Sequence, residues 1–159
     1  MGIHDFDLAR WLMRDEVATV SATGALVACH DLADVQPIDV GLATLTFYGG
    51  AVGTVQVYRR AVYGYDIRTE VLGTEGAVQV GDTRWRPAQV LRAEGVARTM
   101  PRHWLERFGE AYELEMSDWV DRMATDRPPA VSGEDGVRSV ALAVAADQSR
   151  ESGRAVEIS

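Results

Sequence analysis

The hydrophobic pattern of this 159-residue chain changes its period once, near Pro101. Before that point, short alternating segments such as Val40 to Tyr48 and Gly53 to Tyr58 are separated by turn signals such as Gly49-Gly50. After it, aromatic and apolar residues recur every three or four positions, which is the period of an α-helix. A run of strands followed by helices predicts an α+β fold.

The first hundred residues are predicted to hold one helix and six to eight strands. The spacing predicts an opening helix over His4 to Arg14, then a strand pair or one bent strand over Glu16 to Cys29 around Thr23-Gly24. His30 to Asp39 is predicted to be a loop. Further strands are predicted over Ile67 to Leu72, Ala77 to Val80, Thr83 to Arg86 and Gln89 to Arg92.

Two helices and a short strand are predicted to complete the chain. The first helix follows Pro101 and is expected to bury a stripe that includes Trp104, Tyr112 and Trp119. The second is expected to start at a cap on Ser132 or Asp135 and to end at Gly153. Its expected apolar face consists of Val137, Val140, Ala141, Val144 and Ala145, and the closing strand is Ala155 to Ile158.

These elements predict one domain over residues 1–159, built as an open, mostly antiparallel sheet with helices packed on one face. The other sheet face needs a cover if it is apolar. Both alternations of the strand around Leu42 to Phe47 carry apolar residues, so we expect a homo-oligomer formed through the sheet.

Charge and composition exclude several function classes. With 24 acidic and 16 basic residues the net charge is −8, which opposes binding to nucleic acid or an anionic membrane. All the basic residues are arginine, so the chain has no lysine for Schiff-base chemistry. The apolar run at 141–146 is too short for a membrane span and no signal-peptide pattern is present, so a cytoplasmic location is expected.

The glycines, the histidines and the cysteine predict neither a cofactor site nor a metal site in this chain. Gly49-Gly50-Ala-Val-Gly53 joins two strands, whereas a dinucleotide-binding glycine turn joins a strand to a helix. His4, His30 and His103 have no metal-ligand spacing. Cys29 is interpreted as a small core residue.

Two places have side chains suited to chemistry. His4 opens a helix beside Asp5 and Asp7, whose carboxylates are expected to orient it as a general base. Tyr63, Tyr65 and Asp66 surround a glycine and are suited to hydrogen-bond a polyhydroxylated ligand. The alternatives from the residues alone are a helix-terminal histidine without a role and aromatics that cover a sheet edge.

Four blocks of sequence are distinctive in order and spacing. They are HDFDLARWL at 4–12, YGYDIRTEVLGTEGAVQV at 63–80, WLERFGEAYELEMSDWVD at 104–121 and PPAVSGEDGVRSVALAVAADQSRESGRAVEI at 128–158. Together they resemble the C-terminal domain of the glucose-fructose oxidoreductase, inositol dehydrogenase and MocA family, and within it they resemble the inositol 2-dehydrogenases most.

The resemblance implies a substrate-binding and oligomerisation domain of an NAD- or NADP-dependent oxidoreductase that acts on a polyol or sugar. His4 matches the family's catalytic histidine, the proton acceptor during hydride transfer, and Tyr63 matches a substrate-contacting tyrosine. The family's catalytic lysine belongs to an N-terminal Rossmann domain, and its aspartate, four residues before the histidine, would precede Met1. We therefore expect the isolated chain to be inactive and to bind no cofactor by itself.

Three arrangements remain open at this point: a separately expressed domain, a split subunit whose Rossmann half is another chain, and a truncated relic. In the last case the chain is a non-catalytic dimerising or sugar-binding module. Apart from the resemblance, a cone-shaped isomerase or dehydratase domain with His4 and Asp66 in a polar pocket also fits the element order.

Overall fold

The computed structural model describes residues 2–35, 37–81, 89–92, 95–98 and 100–158. Backbone contacts divide the chain into two units, Met1–Arg60 with Val131–Ser159, and Ala61–Ala130. The elements in chain order are α1 (Ile3–Met13), β1 (Val17–Ala25), β2 (Val40–Phe47), β3 (Val52–Tyr58), β4 (Thr69–Gly73), β5 (Gly76–Val80), β6 (Gln89–Arg92), β7 (Gly95–Arg98), α2 (Trp104–Ala124), α3 (Gly133–Ser152) and β8 (Val156–Glu157).

The first unit is an antiparallel sheet covered on one face by α1 and α3. Its strand order is β3-β2-β1-β8, and a turn at Gly49-Gly50 joins β2 to β3 as predicted. Alternate residues of β2 are buried, and they pack with side chains from both helices in one apolar core. That core consists of Phe6, Val17, Val20, Ala43, Leu45, Phe47, Val55, Leu142 and Ala145.

This apolar core confirms the predicted α+β class and contradicts the cone-shaped alternative. A cone-shaped enzyme domain needs a polar pocket inside its sheet, whereas the inner face here is filled by apolar side chains such as Leu45 and Phe47. The two helices cover this face because their own apolar residues, Phe6 and Leu142, have no other large surface to bury against.

The opposite face of this sheet is exposed and uncharged along three strands. Cross-strand pairing places Ser21, Thr44 and Thr54 in one row, so their side chains share a face. The exposed residues of this outer face are Ser21, Thr23 and Ala25 of β1, Leu42, Thr44 and Thr46 of β2, and Val52, Thr54, Gln56 and Tyr58 of β3. Four threonines thus lie on this face beside its apolar residues, which include Leu42, on which the oligomer prediction relied.

The prediction that Val137, Val140, Ala141, Val144 and Ala145 face the core is right only for Ala145. The other four are exposed, and Ser139, Leu142 and Ser149 are buried together with Ala145. Small side chains allow the helix to approach the sheet closely, and the serines satisfy polar groups there. Ser149 Oγ accepts a hydrogen bond from Ala22 N at 2.9 Å, just beyond the point where the two-residue β8 stops pairing with β1.

The strand β1 is continuous through Thr23-Gly24, so of the two predicted arrangements, a strand pair and one bent strand, the single strand is observed. Gly24 serves close approach rather than a turn. A Cβ there would lie 2.9 Å from Ile38 Cδ1 and 2.9 Å from Val40 O. The irregularity in β1 lies instead near its start, where the register to β2 shifts between Val17 and Thr19.

The second unit contains the hairpins β4–β5 and β6–β7 and the long helix α2. The strand β7 was not predicted, and the predicted strand Thr83 to Arg86 lies outside the described residues. The helix α2 forms where expected, but its aromatic stripe is not buried: Trp104, Tyr112 and Trp119 are exposed. Periodicity reports that a helix is amphipathic, and it does not report whether the molecule covers the apolar face. No helix in the described part of the chain is long and apolar enough to cross a membrane.

A buried carboxylate organises the turn that follows β1. Asp39 is fully buried, and its two oxygens accept hydrogen bonds from the backbone N–H groups of Val27, Ala28 and Cys29 at 2.6 to 2.7 Å. Burial by itself would raise the pKa of Asp39, but these donors outweigh it and lower the pKa to about 2. Cys29, predicted to be a core residue, is only half-buried beside this carboxylate.

We predict that Asp39→Asn lowers the melting temperature by about 5 °C, because an amide presents one accepting oxygen to donors that now share two. Since the pKa of Asp39 is lower in the folded than in the unfolded chain, its stabilisation is complete above about pH 4 and is lost as the pH falls towards 2. Thermal unfolding between pH 2.5 and 7 should show the two proteins converging in acid. Asp34→Asn, at an exposed position of the same loop, is the control; equal losses in both variants would contradict the assigned role.

Candidate functional site

The sequence-predicted site residues lie in the two units separately, His4 in the first and Tyr63, Tyr65 and Asp66 in the second. His4 is the second residue of α1 and is exposed. The other side of α1 is fixed to the core by Phe6 and Arg10, both of which are buried. The imidazole therefore lies on the outward face of a helix whose inward face is anchored.

A buried arginine anchors α1. Arg10 is 8% exposed and donates to both oxygens of Glu16, through Nε at 2.8 Å and Nη2 at 2.7 Å. It also donates to Asp7 Oδ1 at 3.3 Å and to Asp135 Oδ1 at 3.4 Å. The hydrogen bonds from Arg10 lower the pKa of Glu16, which keeps this carboxylate ionised around the guanidinium.

The same cluster extends into the start of α3. Ser132 caps that helix, as predicted, and forms a capping box with Asp135. The backbone N–H and the hydroxyl of Ser132 lower the pKa of Asp135, and Arg10 adds to the effect. Ser139 Oγ donates to Asp7 Oδ1 at 3.1 Å and thus joins α3 to α1 a second time. We name Arg10, Asp7, Glu16, Asp135 and Ser139 the helix-junction cluster.

The predicted orientation of His4 by its neighbouring carboxylates is not observed. Asp7 is engaged with Arg10 and Ser139, because the helix places it towards α3. Burial raises the pKa of Asp5, and the electrostatic interaction with the nearby His4 partly offsets this. Within the described residues, no hydrogen bond or ion pair involves the imidazole of His4, so none of these contacts fixes the orientation of its ring.

In the second group of site residues, Tyr63 and Asp66 form a hydrogen-bonded trio with Arg68. Asp66 has a side chain that is 5% exposed, and its Oδ2 accepts from Tyr63 Oη at 3.1 Å and from Arg68 Nη2 at 2.7 Å. The carboxylate of Asp66 raises the pKa of Arg68 through this hydrogen bond. Tyr63 and Arg68 are largely exposed. Their phenol and guanidinium groups therefore contact solvent, while the carboxylate that both of them donate to is buried.

The backbone around Gly64 fixes the place of this trio. Gly64 has φ +135°, and a Cβ there would lie 2.5 Å from Met100 Cβ and 2.7 Å from Pro101 O, so only glycine fits. The next residue, Tyr65, donates its N–H to Pro101 O at 2.6 Å, and its ring lies edge-on to Phe108 with centroids 6.1 Å apart. Tyr65 therefore packs within the second unit, whereas Tyr63 points a polar group outward.

Arg68 is the member of the trio that the sequence interpretation missed. A carboxylate as buried as Asp66 needs a cationic or hydrogen-bonding partner, and Arg68 is the nearest basic residue that follows it in the chain. That argument requires the burial of Asp66, which only the structure provides.

The other two histidines have structural positions. His103 is the N-cap of α2, where its Nδ1 accepts from Glu106 N at 3.4 Å, and His30 lies exposed in a short 3-10 turn. Among the residues that the structure describes, no group of three or more His, Cys, Asp or Glu side chains is placed to hold a metal ion.

The glycine-rich segment forms the predicted hairpin turn, and it does not fit a dinucleotide. Gly49-Gly50 connects β2 to β3, and the N–H of Gly49 is taken by Asp15 Oδ2 at 2.7 Å. A pyrophosphate cradle needs free backbone N–H groups at the start of a helix and no carboxylate beside them. The Gly49-Gly50 turn therefore lacks the features of a pyrophosphate-binding turn.

The chain matches one protein family over almost its full length. Residues 1–158 match the profile described as "Oxidoreductase family, C-terminal alpha/beta domain". The chain is 35% identical over 159 residues to the myo-inositol 2-dehydrogenase of Thermotoga maritima, covering 99% of this chain and 48% of that protein. It is 38% identical over 159 residues to the uncharacterized oxidoreductase YrbE of Bacillus subtilis, covering 99% and 47%.

A solved structure matches the fold over the same range. The scyllo-inositol dehydrogenase of Lactobacillus casei, crystallised with bound NAD(H) and scyllo-inositol, superimposes with a TM-score of 0.90 at 26% identity, over 99% of this chain and 46% of that one. The chain thus spans about half the length of the relatives that it matches.

We predict that Arg10→Leu lowers the free energy of unfolding by about 2 kcal/mol, because it leaves Asp7, Glu16 and Asp135 close together without their shared cation. Denaturant unfolding measures the change. The matched control is Arg154→Leu: no ion pair of the Arg154 side chain is found among the described residues, so about 0.5 kcal/mol or less is expected. A cost for Arg10→Leu no larger than the control's would refute the anchoring role of the helix-junction cluster.

Proposed function

Because the chain belongs to the C-terminal alpha/beta domain family of oxidoreductases, we propose that it is the substrate-binding and oligomerisation half of an NAD- or NADP-dependent dehydrogenase that oxidises a polyol or sugar of the inositol type. The observation that carries the proposal is the similarity, over nearly the whole chain, to a dehydrogenase structure that holds NAD(H) and an inositol.

His4 is proposed to accept the proton of the substrate hydroxyl that is oxidised. Histidine is the side chain most often used as a general base near neutral pH. Two features of the structure support this role: the imidazole is exposed at the N-terminal end of α1, and the helix-junction cluster holds that helix rigidly to α3. The substrate itself, or a group from outside this chain, then orients the ring.

Tyr63 is proposed to hydrogen-bond a hydroxyl group of a polyol, with Asp66 as the buried partner that holds its phenol in place. Their polar atoms lie 3.1 Å apart, and the phenol can both donate and accept. Arg68 Nη2 donates to the same Asp66 oxygen as Tyr63 does, at 2.7 Å, and so helps to hold the carboxylate in place beside the phenol. Tyr65, which packs on Phe108, is proposed to contribute to substrate binding mainly by holding this segment in place.

The hydride acceptor is proposed to be NAD or NADP held by a Rossmann half, whether that half belongs to the same polypeptide or to a separate chain. The residues of this chain would bind the substrate and accept the proton of its hydroxyl group. The cofactor would accept the hydride from the carbon that carries that hydroxyl group.

The uncharged outer face of the sheet is proposed to bind a second copy of this chain. Interface centres are depleted of charged residues, and this face combines threonines with Leu42, Val52 and Tyr58. Two such faces can pack as sheets do in a sandwich, about 10 Å apart, with short side chains between them.

We predict that the 159-residue chain alone neither binds NAD nor oxidises inositol, and that fusion to the N-terminal half of the Thermotoga maritima enzyme gives inositol-dependent NAD reduction. In that fusion His4→Ala should lower kcat/KM by about 100- to 10,000-fold, the range for loss of a general base. Tyr63→Phe should raise KM by about tenfold with a smaller effect on kcat, because it removes one substrate hydrogen bond.

The control for this experiment is His30→Ala, another exposed histidine, which should leave kcat/KM unchanged. An active fusion that tolerates His4→Ala would reject the catalytic role and favour the alternative of a non-catalytic dimerising or sugar-binding module. Tight NAD binding by the isolated chain would reject the assignment as the substrate half.

We predict that the chain sediments as a dimer or larger assembly, and that Thr44→Arg weakens its association by about 100-fold, because it places a desolvated charge on the outer face. Sedimentation velocity over a concentration series measures this. Thr74→Arg, on the exposed turn between β4 and β5, is the matched control and should sediment as the unmodified chain does. A wild-type monomer at all concentrations would disprove the interface.

A further inference from the structure

The buried carboxylate of Asp66 fixes the direction of the hydrogen bonds in the trio. A carboxylate that is paired with an arginine accepts hydrogen bonds and donates none. Tyr63 Oη, at 3.1 Å, and Arg68 Nη2, at 2.7 Å, therefore both donate to the same atom, Asp66 Oδ2. The phenol of Tyr63 has one proton, and this bond uses it. Towards a ligand, Tyr63 Oη is consequently an acceptor.

Arg68 places donors beside that acceptor. A guanidinium carries five N–H groups in a planar fork, and the bond to Asp66 uses one of them. The side chain of Arg68 is 64% exposed and that of Asp66 only 5%, so a ligand can reach the guanidinium but not the carboxylate. Since Tyr63 and Arg68 donate to one oxygen, their exposed groups are neighbours.

We propose that Arg68 is a second substrate-binding residue beside Tyr63, and that the two select a neutral ligand with two neighbouring hydroxyl groups. One hydroxyl donates to Tyr63 Oη, and the oxygen of the next accepts from Arg68. This inference rests on the proposed function, because it specifies how the polyol is recognised beside Tyr63. It adds a requirement: the ligand group at Tyr63 must carry a proton, whereas the group at Arg68 needs only a lone pair.

The charge balance of the trio favours a neutral ligand over an acidic one. Asp66 contacts the guanidinium of Arg68 and is removed from water, so its negative charge offsets the positive one with little screening. An arginine without such a partner is suited to carboxylate or phosphate groups. Because Arg68 is paired, it serves a ligand as a hydrogen-bond donor of fixed direction, which suits a hydroxyl oxygen.

A fluorinated phenol at position 63 tests the direction of the bond to the ligand. Fluorine makes a phenol a stronger donor and a weaker acceptor with little change in shape. Tyr63→3-fluorotyrosine should therefore raise the Kd of the 159-residue chain for myo-inositol about threefold, since the ligand bond is the one that weakens. An NMR titration that follows the backbone N–H signals of residues 63–66 measures this Kd.

The control for this titration is Tyr48→3-fluorotyrosine. Tyr48 donates to Ile158 O within the first unit, so its variant should bind myo-inositol as the unmodified chain does. A Kd that falls or stays unchanged in the position-63 variant would overturn the proposal, because the phenol would then donate to the ligand or not contact it. Tighter binding of glucuronate than of myo-inositol would also overturn it, since the ligand class would then be acidic.

Deoxygenated ligands separate a binding role of Arg68 from a structural one. One member of the monodeoxy inositol series, the one without the hydroxyl at Arg68, should bind the unmodified chain about tenfold more weakly than myo-inositol does. In Arg68→Met that difference should disappear, while the other members keep their ranking. An equal loss for every ligand would make Arg68 a structural partner of Asp66 and contradict the proposal. Arg138→Met, which removes an arginine paired with Glu134 on α3, is the matched control and should leave every Kd unchanged.

These titrations require neither cofactor nor turnover, so their failure is distinguishable from failure of the proposed function. The expected binding by a chain whose fusion to the N-terminal half of the Thermotoga maritima enzyme does not oxidise inositol would reject the assigned activity and keep the binding pair. Oxidation by a fusion whose KM for inositol is unchanged by Tyr63→3-fluorotyrosine and by Arg68→Met would do the reverse.

Discussion

The guanidinium of Arg10 is the group on which the arrangement of the first unit depends. It is buried against carboxylates from α1, from the residue just before β1 and from the start of α3, so one side chain joins the first helix and its following turn to a helix more than a hundred residues away in sequence. Removing such a cation leaves several negative charges close together, whereas removing any one carboxylate leaves the others in place. The position of α1, and with it the direction of His4 and Trp11, follows from this junction and from the apolar contact of Phe6.

In both α1 and α3, the inward side packs on the rest of the first unit and the outward side stays exposed. The inward side of α3 combines Leu142 with small residues. Its Ser149 accepts from the N–H of Ala22, beyond the end of the short β8, and its Ser139 donates to Asp7, to which Arg10 also donates. The inward side of α1 uses Phe6 and Arg10. Both helices thereby leave apolar side chains outward, Val137, Val140 and Val144 on α3 and Trp11 on α1. Exposed apolar groups on rigid elements are typical of a domain that functions within a larger assembly.

The hydrogen-bonded trio in the second unit, Tyr63, Asp66 and Arg68, is fixed in place by contacts within the chain. Asp66 is buried and paired with Arg68, and Gly64 permits a backbone turn that no other residue could make beside Met100 and Pro101. The polar atoms that remain outward belong to Tyr63 and Arg68. If the proposed polyol binds there, these protein groups lose little conformational entropy, because they are already fixed.

Apart from β7, the continuity of β1 and the choice between Ser132 and Asp135 as the cap of α3, the sequence alone determined the order of the described elements, the hairpin at Gly49-Gly50, the end of α3 at Gly153, and the family to which the blocks around His4 and Tyr63 belong. These features depend on local backbone preferences and on residue identity, which are encoded within a few positions. The tertiary structure alone decided which face of α3 packs inward, that the stripe of α2 stays exposed, that Asp7 serves Arg10 rather than His4, and that Arg68 pairs with Asp66. Each of these depends on contacts between distant segments or on burial, and periodicity measures neither. When two faces of a helix could both pack on a sheet, the face that packs is decided by the shape of the sheet and by the hydrogen-bond partners that its buried polar groups need.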